Sequence, residues 1–194
     1  NEVETSPVAF RAKDGTPLRG WFYKHPTSTK VFIYNQGRNS DLGKALNHAK
    51  VMLAAGASVF SYEYRGFGDT PAVAGICEDG LTAYDFVTAK LGYQAEDIVI
   101  YGESLGAGVA AYVAERRKAA GLVLQSGFAS LERIGKEMFA ALKVYPGWLF
   151  PRPTLDNARA VKKIQPPLLV IHGVQDEVIP VHHSRLIFDG AGGR

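Results

Sequence analysis

The stretch Asp97-Ile98-Val99-Ile100-Tyr101-Gly102-Glu103-Ser104-Leu105-Gly106-Ala107-Gly108-Val109-Ala110-Ala111-Tyr112-Val113-Ala114-Glu115-Arg116 decides the architecture. It opens with an apolar run rich in β-branched residues, the composition of a buried strand. It closes with small, helix-favouring residues. Between them stands Gly102-Glu103-Ser104-Leu105-Gly106, a serine at the apex of a sharp strand-to-helix turn. Gly-x-Ser-x-Gly in that setting reads as a nucleophile elbow. The glycines are required because the strand and helix backbones come close and the turn is strained. The strain lifts the Ser104 hydroxyl clear at the carboxyl end of a sheet. The helix start aims free N–H groups at developing negative charge. The plain alternative is a glycine-rich turn that happens to hold a serine; the flanking strand and helix weigh against it.

Outward from the elbow, strands and helices alternate. Residues 7–12 and 17–24 are strand-prone, with Asp14-Gly15 between them as a hairpin signal. Residues 30–34, Lys-Val-Phe-Ile-Tyr, form a continuous apolar strand that ends in the polar loop Asn35-Gln36-Gly37. A helix is expected over 42–55, with Ser40 or Asp41 as N-cap and Gly56 beyond its end. A strand over 59–64, a loop over 65–71 and a helix over 76–91 lead to the elbow strand. Residues 121–125 and 167–171 read as two more buried strands, and a last helix begins near Val181. Residues 126–164 are too long for a simple connection and too aromatic for a linker. They read as a lid-like insertion with one or two short helices. The expected architecture is one α/β domain over 1–194. Its sheet is mainly parallel, with helices on both faces, the hairpin at one edge and residues 168–171 near the other. Ligands of such sheets sit at the carboxyl ends of the strands, which singles out the loops after Tyr34, Tyr101 and Ile171.

A serine nucleophile needs a base, usually an acid to orient that base, and two N–H donors for the oxyanion. Leu105, directly after Ser104, supplies one donor, and Gln36 or Gly37 the other. For the acid, the loop 126–130 has no carboxylate, whereas the loop 172–180 offers Asp176 and Glu177. Serine before the acid in chain order fits this arrangement. The histidines are harder to place. His182 and His183 open a helix and read as capping or surface residues; His172 reads as structural at a strand end. His25 and His48 are expected far from the site.

Gly102-Glu103-Ser104-Leu105-Gly106, Tyr62-Glu63-Tyr64-Arg65-Gly66-Phe67-Gly68 and Ile171-His172-Gly173-Val174-Gln175-Asp176-Glu177-Val178-Ile179-Pro180 resemble the α/β-hydrolase superfamily. The nearest resemblance is to its BEM46-like branch, which includes bacterial membrane-associated hydrolases and the animal depalmitoylating hydrolases. It runs from about Phe10 to the end of the chain and implies Ser104 as nucleophile and Asp176 as triad acid. The Asn35-Gln36-Gly37 loop and Leu105 would form the oxyanion hole. The expected activity is cleavage of carboxylic esters or thioesters through an acyl-enzyme, without cofactor or metal. A serine peptidase and a catalytically dead binding protein of the same fold are the alternatives. Two departures stand out. The family has His-Gly-Asn where this chain has Asn35-Gln36-Gly37. Its histidine follows one more strand, beyond Arg194, so the last strand and helix are expected to be lacking and residues 168–171 to be an unpaired edge open to self-association.

Composition bounds the rest. Of 194 residues, 46% are hydrophobic and 21% charged, ordinary for a globular domain. A net charge of +3 argues for neither nucleic acid nor an acidic membrane as partner. The single cysteine, Cys77, excludes an internal disulfide. No apolar run reaches spanning length, so membrane contact is expected only through a segment outside these residues. The chain starts at Asn1 rather than Met, so it is expected to be processed, tagged or trimmed, and the compartment is open between cytoplasmic and exported or anchored. The expected ligand is a small-molecule or acyl substrate.

Overall fold

Seven strands form one sheet in the order β1-β2-β4-β3-β5-β6-β7, in a computed structural model that describes residues 4–38, 42–65 and 73–192. The strands are β1 (Glu4–Arg11), β2 (Pro17–Lys24), β3 (Val31–Asn35), β4 (Ser58–Tyr62), β5 (Ile98–Glu103), β6 (Gly121–Gln125) and β7 (Leu168–Ile171). The hairpin β1–β2 is antiparallel and joins β4 antiparallel; every pairing from β4 through β3, β5 and β6 to β7 is parallel. The helices are α1 (Leu42–Ala54), α2 (Val73–Ala89), α3 (Leu105–Ala114), α4 (Leu131–Met138), α5 (Asn157–Ala160) and α6 (His182–Gly190). The expected caps Ser40 and Asp41 and the loop Gly66-Phe67-Gly68 lie outside the described residues.

The continuous apolar runs are explained by burial on both faces. Val31 and Ile33, Phe60 and Tyr62, Ile98 and Ile100, and Leu122 and Leu124 point to one face, into a core shared with α2 and α3. Tyr34, Val59, Tyr101 and Val123 point to the other, under Ala45, Ala49 and Met52 of α1. Each fully buried aliphatic side chain among them contributes about 1.5–3 kcal/mol. The faces are covered unequally. On the α1 face Leu169 and Ile171 of β7 remain exposed, and β7 is an edge of the sheet, where sequence reading places it.

Strand order also locates the site. From β3 the chain passes through α1 to β4 on one side, then crosses through α2 to β5 on the other. The order reverses between β3 and β5, and the crevice outside their carboxyl ends is where such sheets bind ligands.

Candidate active site

Ser104 follows β5 and precedes α3, with φ 53° and ψ −116°. That conformation is unfavourable for a residue with a Cβ and costs about 1–3 kcal/mol. The surroundings impose it. A Cβ on Gly106 would lie 2.0 Å from the Asn35 carbonyl oxygen, and one on Gly102 2.2 Å from that of Gly106. Only glycines let α3 fold back this tightly over β5 and against the end of β3. The same packing delivers the oxyanion-loop candidates: a Cβ on Gly37 would be 3.3 Å from the Ser104 Cβ and 4.0 Å from its Oγ. Gln36 is buried beside the elbow, and its Nε2 has no hydrogen-bond partner among the described residues. Leu105 opens α3, so its N–H has no intrahelical acceptor.

Asn35, at the end of β3, holds that loop in place. Its Nδ2 donates to the Tyr101 carbonyl at 3.0 Å on β5, and its Oδ1 accepts from the Tyr62 hydroxyl at 2.7 Å on β4. Three neighbouring strands are thus tied together directly beneath the Gly37–Ser104 contact. Asn35 stands where the resemblance expects histidine, and it has become a buried strand clamp.

Asp176 sits in the loop after β7, two strands from β5, or about 10 Å at ordinary strand spacing. Its Oδ1 accepts from the N–H groups of Val178 and Ile179, both at 2.9 Å. Partial burial pushes its carboxyl up, but those N–H groups, the Ser126 hydroxyl and the nearby His172 hold it below the usual carboxylate range. It is therefore ionised at neutral pH. Glu177, the alternative in the sequence, is exposed. Ser126, Gly173, Val174, Gln175 and Asp176 line an open hollow at this rim. Ser126 escaped sequence reading: at φ 46° after β6, it bonds Asp176, while the Ser104 N–H donates to the Gln125 carbonyl at 3.0 Å. The Ser-Gly pair at a strand end was the only trace of it.

None of the five histidines pairs with Ser104 in the described contacts, and each is engaged elsewhere. His25 Nδ1 accepts from the N–H groups of Thr27 and Ser28. His48 stacks on Tyr34 and lies 3.5 Å from the carboxylate of Glu103, so it is nearer the elbow than expected, though its partner is Glu103. His172 is structural, as expected: Nε2 donates to the Ile179 carbonyl at 2.6 Å and Nδ1 accepts from the Ser184 hydroxyl. His183 corrects the surface reading. It is fully buried, and its Nδ1 accepts from the Ala129 N–H at 3.1 Å. Its Nε2 must then carry the proton, which it donates to Glu137 at 3.0 Å. His182 contacts the same carboxylate at 3.1 Å. Glu137, His182 and His183 cluster closely enough to hold a metal ion, but a protonated Nε2 offers no lone pair, so this donor set does not fit one.

Comparisons with known proteins bear on the family and the fold. The family model described as serine aminopeptidase, S33, of the Hydrolase_4 type, matches residues 26–160. An uncharacterised Mycobacterium tuberculosis protein is 31% identical over 193 residues, covering 95% of this chain and 66% of the relative. A lysophosphatidylserine lipase, ABHD12, of Xenopus tropicalis is 31% identical over 202 residues, covering 94% of this chain and 52% of its own length. The chain thus spans about two thirds of the length of the mycobacterial relative and about half of that of the lipase. Among solved structures, a Pyrococcus furiosus esterase superposes with a TM-score of 0.77 at 20% identity, covering 97% of this chain and 76% of the other. The esterase domain of a Rhodothermus marinus protein superposes with a TM-score of 0.75 at 18% identity, covering 97% and 83%. Those likenesses speak for the fold. With the elbow, the strand order and the family match in agreement, the chain belongs to the α/β-hydrolase superfamily, within the family described as serine aminopeptidase, S33.

Proposed function

We propose that this domain is the core of a serine hydrolase, of the BEM46-like branch, that cleaves carboxylic ester or thioester bonds through an acyl-enzyme on Ser104. The observation that carries the reading is Ser104 at φ 53° with Gly37 packed against its Cβ and a helix N-terminus directly after it. Such strain at a serine has no use in a scaffold and suits a nucleophile. Ser104 Oγ attacks the carbonyl carbon and gives its proton to an imidazole. The Leu105 N–H and an N–H of the Gln36-Gly37 loop hold the oxyanion, each worth about 3–4 kcal/mol by analogy with mutated oxyanion donors. The alcohol or thiol leaves with the proton, and water releases the acid by the same route in reverse. Asp176, ionised and fixed by two N–H groups, orients the imidazole. That imidazole comes from outside these 194 residues and occupies the hollow beside Asp176 and Ser126.

A peptidase reading needs an anionic anchor for a substrate amine. The carboxylates of the lid-like segment are already engaged: Glu132 with Lys136, Glu137 with Arg133 and the two histidines, and Asp156 capping α5. Ester chemistry is therefore preferred. The test is fluorophosphonate labelling and p-nitrophenyl ester turnover by this domain within its full-length protein. Turnover should vanish in Ser104→Ala with the melting temperature retained. Undiminished turnover by that variant would end the assignment.

A further inference from the structure

The segment after β6 carries a surface that the hydrolytic reading does not use. It is anchored on its inner side: Ile134 of α4 is buried with Cys77, Phe128, Leu155 and Ile179. Phe150 folds back on Gly135, where a Cβ would lie 3.2 Å from its ring, and the Lys136 ammonium sits 5.6 Å from the ring centre. A bridge between Ser130 and Asp156 closes the base. The segment is thus a packed unit, and its outer side is apolar. Met138, Phe139, Val144, Tyr145, Trp148 and Leu149 are all exposed, Val144 by 84% and Trp148 by 71%. They fall on the end of α4 and on two 3₁₀ turns, Ala140–Val144 and Gly147–Leu149.

Charge narrows what this surface meets. Between Glu137 and Asp156 the sequence has no carboxylate, while Lys143 and Arg152 stand on the same stretch. Among the described residues neither cation makes an ion pair, whereas Lys136 and Arg133 are neutralised by Glu132 and Glu137. An acyl-binding cleft would enclose these side chains, yet they face water. A second copy would set Lys143 and Arg152 against their like with no carboxylate to answer them. Exposed Trp, Tyr and aliphatic groups beside unpaired cations suit the interface of an anionic bilayer. We infer that residues 138–152 dock this domain peripherally on an anionic membrane surface. No helix of the described residues is long and apolar enough to cross a membrane, so docking is by insertion of side chains. The sequence alone pointed to membrane contact only outside these residues; this surface supplies one within them. Because the segment leaves the carboxyl end of β6, beside β5, docking turns the Ser104 end of the sheet towards the lipid.

The test is flotation with vesicles of phosphatidylcholine alone or mixed with phosphatidylserine, using the full-length protein and this domain. In a Trp21→Phe background, Trp148 fluorescence should shift to the blue and be quenched by brominated acyl chains. Binding should favour phosphatidylserine, weaken with salt, and fall about five-fold for each of Lys143→Gln and Arg152→Gln. The pair Val144→Asp and Trp148→Asp should abolish it. These sites are exposed, so an unchanged melting temperature certifies the fold. Absence of vesicle binding, or binding untouched by the Asp pair, would overturn the inference. So would a dimer in sedimentation that the Asp pair dissolves while vesicles go unbound, since the occupant would then be a second copy.

Discussion

Gly106→Ala tests the packing that creates the elbow. Within a helix the substitution should stabilise by about 1 kcal/mol through propensity alone. Here the added Cβ would lie 2.0 Å from the Asn35 carbonyl oxygen and 2.7 Å from that of Gln36. Real Cβ contacts need more than 3 Å, so the end of β3 or the start of α3 must move by about 1 Å. Both obstacles are backbone, and Asn35 is fixed by bonds to Tyr101 and Tyr62, so neither yields cheaply. Overpacking of a rigid site costs about 1–3 kcal/mol, and this contact belongs at the top of that range. The net loss should be about 2 kcal/mol, a drop of roughly 4–8 °C in melting temperature for a chain of this size. Gly121→Ala is the control. Its Cβ would meet nothing nearer than 3.8 Å, and it lies in β6, so it should gain about 0.5–1 kcal/mol. Calorimetry of the three proteins decides the matter. A Gly106→Ala protein that melts at or above the parent would show that α3 does not press on the end of β3, and the account of the elbow would fall with it.

Asp79→Ala should cost about 3 kcal/mol, because Asp79 is fully buried and accepts from the Arg65 N–H at 2.8 Å and Nε at 2.9 Å; an unchanged urea midpoint would contradict this. Burial pushes His183 below its ordinary pKa against the pull of Glu137. The unfolded chain then binds more protons near pH 6.5, so stability should rise with pH up to about 6.5 and then level off, and replacing His183 should remove that slope. Asp176 has a lowered folded pKa, so its contribution is present above about pH 4 and is lost as pH falls through the folded value. In the full-length protein, Asp176→Asn should lower kcat by about 10⁴-fold, measured with a p-nitrophenyl ester, because the imidazole loses its orienting charge; full activity would remove Asp176 from the mechanism.

Much of the fold was legible because its signals are local. Residues 31–34 and 98–101 are apolar without alternation, which only a strand buried on both faces explains, and Gly102 and Gly106 bracket a serine at a turn that needs both. The elbow and the carboxylate loop after the last strand follow from that pattern. What the sequence could not reveal depends on partners distant in the chain. His183 follows a proline at a helix start and looks like a surface residue, yet it is buried because Ala129, 54 positions earlier, donates to it. Asn35 looks like a loop residue, yet it clamps three strands because the strand order places β3 between β4 and β5. His48 comes to Glu103 only because α1 lies over β3 and β5. Ser126 reaches Asp176 because β6 and β7 are neighbours. Composition and period fix which face of an element is apolar. Which polar groups meet at the end of the sheet is settled by strand order, since hydrogen bonds act over about 3 Å while the sequence separations are tens of residues.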